Sequence, residues 1–468
     1  MAKKTKKLTL SEKIKQLAEI PFSIKWVSIS LFLFTMGWGL GADTFFSIYV
    51  KSIIGSGLNL TLITLLPIIK LLTVIPIGIL NDKGMSKYLL LYGKIWYAIS
   101  GAFYFWAGFE QSAFFLICAV ILNGIGSSTM YTTYRTLYKK TQTNNRSKIL
   151  GVYFSSINMA YVIGALISAF LVKYLDLPYM YLFVVIFAIL SILQDSKIQD
   201  FVHRKFSKTW KYLKKQNTDL PFEYEIDEEY QNMENILRKK NMLFLYFREI
   251  FSLSPWKKMF EAMKSYDGNM YVALSSQALV NFMNYVGFLF IPLVAMQNNL
   301  SLSEIAILFA VMRLPYLVNI LIGNIDKYSK KILITILVLF SAGLFFWLGS
   351  TSSFMAIVVA SFGLSLAIAM LQPITSALIL GYAKPKDKGL IAGMQEFSSK
   401  IGEIIGSLGI GLLTALVGMN VAFQFLCALA VLGGYLLLKK LFQSKEKKAE
   451  DHQKDIDVPI FAPQIIKE

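Results

Sequence analysis

The sequence predicts an all-α polytopic membrane protein of twelve transmembrane helices arranged as two parallel six-helix repeats, and three observations predict it. Of 468 residues, 55% are hydrophobic and 16% charged, and mean hydropathy is +0.53; a water-surrounded domain of this length is less apolar. Apolar runs long enough to cross ~30 Å of hydrocarbon at ~1.5 Å per residue recur along the chain. The second group of such runs repeats the first in order.

Residues 1–21 form a basic amino-terminal tail without a small-residue cleavage site, so the apolar run behind it is expected to persist as a span. A first bundle, 22–194, holds runs near 22–50, 57–80, 88–108, 111–138, 149–172 and 177–194. A polar linker, 195–268, precedes a second bundle, 269–438, with runs near 269–295, 302–323, 331–350, 352–382, 389–417 and 419–438. A lysine-rich tail, 439–468, closes the chain.

The net charge of +18 sits in tails and short connections. Lys139, Lys140, Arg146, Lys148, Lys384, Lys386 and Lys388 crowd alternate loops, whereas the opposite loops hold little beyond Lys51 and Lys173. Positive-inside asymmetry therefore places both termini in the cytoplasm, with the plasma (inner) membrane as the expected location, and makes the bilayer, rather than nucleic acid, the partner of these bases. Cys118 and Cys427 lie in apolar runs and His203 and His452 in polar ones, so no metal or cofactor is expected. No nucleophile, base and orienter constellation stands out, and no phosphate-cradling glycine loop is present. An enzyme or an ATP-driven pump is therefore not expected.

The linker runs from basic "HRKFSKTWKYLKK" through acidic "FEYEIDEEY" to "FREIFSLSPWKKMFEAMK". Its alternating aromatic and basic residues predict amphipathic helices lying on the cytoplasmic headgroups, with a protein-partner dock as the sharper alternative.

Four segments carry the repeat. "NDKGMSK" (81–87) answers to "IDKYSKK" (325–331), setting Asp82 opposite Asp326 and Lys87 opposite Lys331. "RSKILGVYFSSINMAYVIG" (146–164) answers to "KGLIAGMQEFSSKIGEIIG" (388–406). "FFSIYVKSI" matches "FLFIPLVAM", and Lys70 matches Arg313. The offsets agree to within two residues, and an even number of spans per copy gives both halves one orientation, as in repeats related by an axis along the membrane normal.

This architecture resembles the major facilitator superfamily. The loop "GILNDKGMSK" is similar to that family's signature between second and third helices, with Gly78, Asp82, Lys83 and Lys87 in register and Gly84 one position early. The resemblance implies a monomeric transporter in which Asp82 braces the start of the eleventh helix and Asp326, with Lys331, the start of the fifth. A carboxylate suits the positive end of a helix.

Charged residues inside spans cost at least a few kcal/mol unless they face protein or water. Lys70 lies about twelve residues, or roughly 18 Å, from Asp82. Glu396, Lys400 and Glu403 are spaced i, i+4, i+7 on one face of the eleventh run. The resembling fold packs the second helix beside the eleventh and the eighth beside the fifth. It thereby implies Lys70 within reach of Glu396 and Glu403, and Arg313 facing Asn158, the repeat counterpart of Lys400. A static ion-paired seam and a moving coupling site both fit, with Glu403 ahead of Glu396 as the exchanging carboxylate.

The family's first, fourth, seventh and tenth helices surround its cavity. This implies Asp43, the one acid of the first run, as a cation or proton ligand, or else a hydrated residue of the outer vestibule. It also implies Tyr131, Tyr134, Arg135, Gln277, Asn281, Asn284 and Gln372 as lining residues, although Arg135 is close enough to the cytoplasm to snorkel there. The arginine and glycine-proline signatures of the family's drug exporters are absent from the fourth and fifth runs.

The expected function is secondary active transport of a small polar or amphipathic solute by rocker-switch alternating access, coupled to protons, with the bases tilting the solute toward anionic or zwitterionic. The alternatives are a non-transporting sensor or assembly protein, and a lipid transporter on the same fold.

Overall fold

A computed structural model describes residues 22–55, 59–83, 85–140, 146–213, 242–266, 268–320, 330–381 and 388–435. Every regular element among them is a helix. These are α1 (Phe22–Leu40), α2 (Ala42–Ile54), α3 (Asn59–Asp82), α4 (Ser86–Phe109), α5 (Ala113–Lys140), α6 (Arg146–Leu171) and α7 (Leu177–Leu213). After the linker come α8 (Met242–Ile250), α9 (Ser254–Lys264), α10 (Gly268–Gln297) and α11 (Leu302–Arg313), which continues as a 3-10 helix (Leu314–Ile320). Then follow α12 (Lys330–Ser350), α13 (Phe354–Gly381), α14 (Lys388–Val417) and α15 (Met419–Tyr435).

Among the described residues, nine helical segments are long and apolar enough to cross a membrane: α1 joined to α2, α3, α5, α6, α7, α10, α12, α13 and α14. The remaining three of the twelve expected spans fall short on length or composition for visible reasons. α4 has 24 residues but spends them on Lys87, Lys94, tyrosines, tryptophans and glycines. α11 has twelve residues before tightening into the 3-10 turn that contains Pro315, whose missing N–H cannot extend an α-helical ladder. α15 is a shorter apolar helix.

Other boundaries also differ from the periodicity. The first run breaks at Gly41, where an added Cβ would collide with the Met180 carbonyl, so only glycine allows α1–α2 to approach α7 this closely. α7 does not end at residue 194 but runs on to Leu213, since no glycine or proline stops it where the apolar run ends. Both tails, residues 214–241, Gly84 and the loop carrying Asp326 lie outside the described residues, as do the side chains of Asp82 and Lys331.

α4 packs on α5 and α7, α1 fits between α6 and α7, and α3 lies on α5. In the second set α10 packs on α13 and α14, and α12 and α11 lie on α13. The two sets meet along two seams, α3 against α14 and α6 against α11 with its 3-10 extension. At the bundle end away from Asp82, exposed Trp106, Phe109, Phe114, Phe170 and Tyr174 form an aromatic belt of the kind that sits at a membrane interface.

The linker helices pack against the spans. Tyr246 of α8 is fully buried against Ile77, Leu80, Met85 and Leu89, and its hydroxyl is 2.9 Å from Thr129 Oγ1. Met259 of α9 is likewise buried, among Val74 and Ile75 of α3, Leu274 of α10 and Ile391 and Met394 of α14. These buried residues cover the spans, while Phe244, Phe251, Leu253 and Phe260 remain exposed. Lys83, of the signature loop, donates to Glu249 at 2.6 Å. Partial burial lifts the Glu249 pKa, but Lys83 and Arg248 outweigh it and hold the carboxyl below its ordinary 4.5.

Within the first set, Lys94 of α4 is completely buried and pairs with Asp195 of α7, with further donation to Ser30 Oγ at 2.8 Å and the Ser191 carbonyl at 3.3 Å. Ser30 in turn bonds Asp195 at 2.6 Å and contacts the Tyr134 hydroxyl at 2.9 Å. Removing one member of a buried pair strands the other, whereas replacing both with apolar groups does not. Lys94→Met should therefore destabilise by about 3 kcal/mol, and the Lys94→Met/Asp195→Leu double variant should recover most of the lost melting temperature. Because the folded Glu249 pKa is depressed, its contribution is full above the ordinary carboxylate value and is lost as pH falls through the lowered one. Hydrogen exchange of α8 should accordingly accelerate in that acidic window in the wild type and show no such step in Glu249→Gln.

Candidate functional site

Between the two sets of helices lies a cavity of about 220 Å³ lined from both sides. α3 contributes Lys70 and Val74; α5 contributes Ser127, Ser128, Tyr131, Thr132 and Arg135; α6 contributes Tyr153, Ile157 and Asn158. From the second set come Gln277, Asn281 and Asn284 on α10, Arg313 and Tyr316, Gln372 and Ser376 on α13, and Gln395, Glu396, Ser399, Lys400 and Glu403 on α14. Residues one or two helical turns apart repeat along each contributing face, as an inward-facing stripe requires.

The charges divide into pairs and singles. Arg135 of the first set pairs with Glu396 of the second, each largely shielded from solvent, and so ties the halves together near the end of α5. Arg135 is therefore turned into the cavity instead of snorkelling outward. Lys400 pairs with Glu403 one turn along its own helix. Lys70 makes no ion pair among the described residues, although Lys400, Glu403 and Asp43 act on it electrostatically. Lys70 shares the cavity with Glu396 and Glu403 and feels the Glu403 charge, but each carboxylate has a closer cation, Arg135 and Lys400.

Arg313 has no carboxylate partner among the described residues. Its guanidinium lies 3.6 Å from the Phe288 ring centroid, 4.2 Å from Tyr161 and 5.1 Å from Phe309, a geometry in which the ring quadrupoles stabilise the cation. Its Nη1 reaches Asn158 Oδ1 at a long 3.5 Å, and its Nε is buried without a hydrogen-bond acceptor.

The neutral wall is largely self-satisfied. Thr375 donates to Gln277 Oε1 at 2.6 Å, Gln277 and Asn281 donate to Ser399 Oγ at 3.2 and 3.1 Å, and Tyr316 donates to Asn284 at 2.7 Å. Tight backbone packing fixes this wall: at Gly402 of α14 an added Cβ would run into the Ala278 carbonyl of α10.

Two candidates fall elsewhere. Asp43 is in the first turn of α2, where a helix N-terminus favours an anion, and accepts from the Trp38 indole; it does not line the cavity. Tyr134 faces away, into the Lys94 network. Of the inter-half gating set, Gly78 is buried in α3, Lys83 binds Glu249, and Lys87 is exposed at the start of α4. The sequence reading passed over Lys94 and Asp195, although a lysine seven residues inside an apolar run was a visible signal that a counter-charge must exist. Ser399, Thr375 and Tyr316 gave no such signal, because small polar residues and tyrosines recur in every span.

If the Arg135–Glu396 pair ties the halves, Arg135→Gln and Glu396→Gln should each raise thiol labelling of a cysteine placed at Ser127, in the cavity, from the α5–α14 end by about threefold to tenfold. The double variant should add little to either single, as coupled residues do in a double-mutant cycle.

A family model described as Major Facilitator Superfamily matches residues 26–226 and 273–465. Among solved structures, the human organic anion transporter MFSD10 (TETRAN) superposes with a TM-score of 0.62 at 16% identity, covering 88% of this chain and 98% of that one. A POT family transporter in complex with a thioalcohol-conjugated peptide gives 0.63 at 13% identity, covering 91% and 96%. A POT family transporter in complex with 5-aminolevulinic acid gives 0.62 at 12% identity, covering 89% and 96%. At these identities the likeness is one of fold. No protein with a curated description matches the chain in sequence.

Proposed function

The chain belongs to the major facilitator superfamily, and from that premise we propose that it is a secondary active transporter carrying a small polar solute by alternating access. Its two bundles, 22–194 and 269–438, each contribute six spans, with both termini in the cytoplasm. The observation that carries this reading is the cavity: polar, placed between the halves, lined by both, and spanned by the Arg135–Glu396 ion pair. A site built from two bodies that meet along two seams changes whenever those bodies move relative to each other, which is the requirement of a rocking carrier.

Coupling to protons is the finer part of the proposal. Glu403 sits in the cavity wall with Lys400 as its partner, and Lys70 nearby. Protonating Glu403 would release Lys400 and add one positive charge to the cavity. Any solute that prefers that charge then binds together with the proton, and by linkage each favours the other. Asp82, with Lys87 and the second-copy pair Asp326 and Lys331, would close the cytoplasmic side, and Asp43 would steady the outer part of the first span.

α8 and α9 bury Tyr246 and Met259 on the transporter's own spans and leave Phe244, Phe251, Leu253 and Phe260 exposed, so a sensor that docks a partner there is the competing reading. The decisive test reconstitutes the purified protein in proteoliposomes and follows counterflow of labelled anionic, zwitterionic, neutral and cationic solutes under an imposed pH gradient. Saturable movement of one class, accelerated by inward-directed protons, is the expected result; binding without movement would leave a sensor. In Glu403→Gln, counterflow should persist at least in part while its pH dependence disappears, and an unchanged pH profile would remove Glu403 from coupling.

A further inference from the structure

We infer that the solute is a compact dianion, such as a dicarboxylate or a small phosphate ester, held between Lys70 of the first half and Arg313 of the second. The inference rests on the transport reading above and adds the chemistry of the cargo.

Four bases and two acids line the cavity. Arg135 with Glu396 and Lys400 with Glu403 cancel as pairs, which leaves two positive charges, Lys70 and Arg313, without carboxylate partners among the described residues. Desolvated charges of one sign are costly unless a counter-charge enters with them. The amide and hydroxyl groups on α10, α13 and α14 do not supply it, because they are engaged with one another.

Arg313 is built for an incoming anion. Aromatic rings crowd its guanidinium, its one side-chain oxygen contact is long, and its Nε is buried without an acceptor. A neutral asparagine, not an acid, stands beside it, at the position where the repeat places Lys400 in the other half. Guanidinium presents a planar fork that matches carboxylate and phosphate oxygens, and the Lys70 ammonium is a point charge that suits either. The cavity, about 220 Å³, lies between the two cations and admits a small dianion that reaches both. Because the two cations come from different halves, such a solute also neutralises charge on both bodies at once.

The test uses purified full-length protein in low-salt buffer and an isosteric series: succinate, 4-aminobutanoate and putrescine, with glycerol 3-phosphate set against glycerol. Titration calorimetry should show succinate or glycerol 3-phosphate, whichever source of the dianion is native, binding at least tenfold more tightly than the zwitterion, cation or neutral analogue. Lys70→Gln and Arg313→Gln should each weaken that binding at least tenfold, whereas Lys70→Arg and Arg313→Lys, which keep charge and fold, should retain part of it. Equal or tighter binding of 4-aminobutanoate or putrescine overturns the inference, as does dianion binding that is indifferent to both charge-removing variants or no binding by either dianion. Counterflow separates the two levels. Movement of a zwitterion or cation sinks the dianion and keeps the transporter, whereas tight dianion binding with no movement keeps the dianion and sinks the transporter.

Discussion

A charge in a hydrocarbon layer must face protein, water or another charge, and that constraint organises the whole molecule. It turns Lys94 inward onto Asp195, cements α4 against α7, and recruits Ser30, Ser191 and Tyr134 as secondary partners. It bends Arg135 away from the nearby aqueous end of α5 and onto Glu396. It also answers why α14, otherwise glycine-rich and apolar, keeps Glu396, Lys400 and Glu403: one carboxylate reaches the opposite half, and the other two residues neutralise each other in the cavity wall.

The internal repeat distributes these charges unevenly. Lys70 and Arg313 are counterparts, and each lines the cavity from its own half. Their neighbours across the seams are not equivalent. Opposite Lys70 the α14 helix offers an ion pair, whereas opposite Arg313 the α6 helix offers Asn158 and Tyr161. A duplicated scaffold has thus kept the position of its bases and changed what surrounds them, so one frame holds a charged seam and an aromatic one.

Much of this was legible in the chain. The i, i+4, i+7 spacing on α14 places three charges on one face whatever the tertiary arrangement, and the repeat pairs Lys70 with Arg313 by register alone. The partner of Glu396 was not legible, because the contact between α5 and α14 follows from how the halves are set together and not from local sequence. Asp195 was hidden by its place at the end of an apolar run, where it reads as the first residue of a linker. The fate of α8 and α9 was legible only by half: their aromatic and basic alternation marks an apolar face, but headgroups and a groove between spans satisfy such a face equally well. The break at Gly41 was not foreseen, because the apolar run reads as continuous through "GWGLGAD" and the close approach to Met180 is a tertiary feature.

The contrast between the seams has a thermal consequence. Water entering between α3 and α14 meets the Lys400–Glu403 pair beside the apolar Val74, Ile75, Ile391 and Met394, and the exposed polar surface lowers heat capacity while the apolar surface raises it. Water entering between α6 and α11 meets Phe288, Phe309 and Tyr161 around Arg313, and exposing apolar surface raises it. Any motion that parts both seams therefore sets the charged groups of the first against the apolar groups of both. The polar contribution offsets part of the apolar one, and so lessens the curvature with temperature of the equilibrium between closed and open forms relative to two wholly apolar seams.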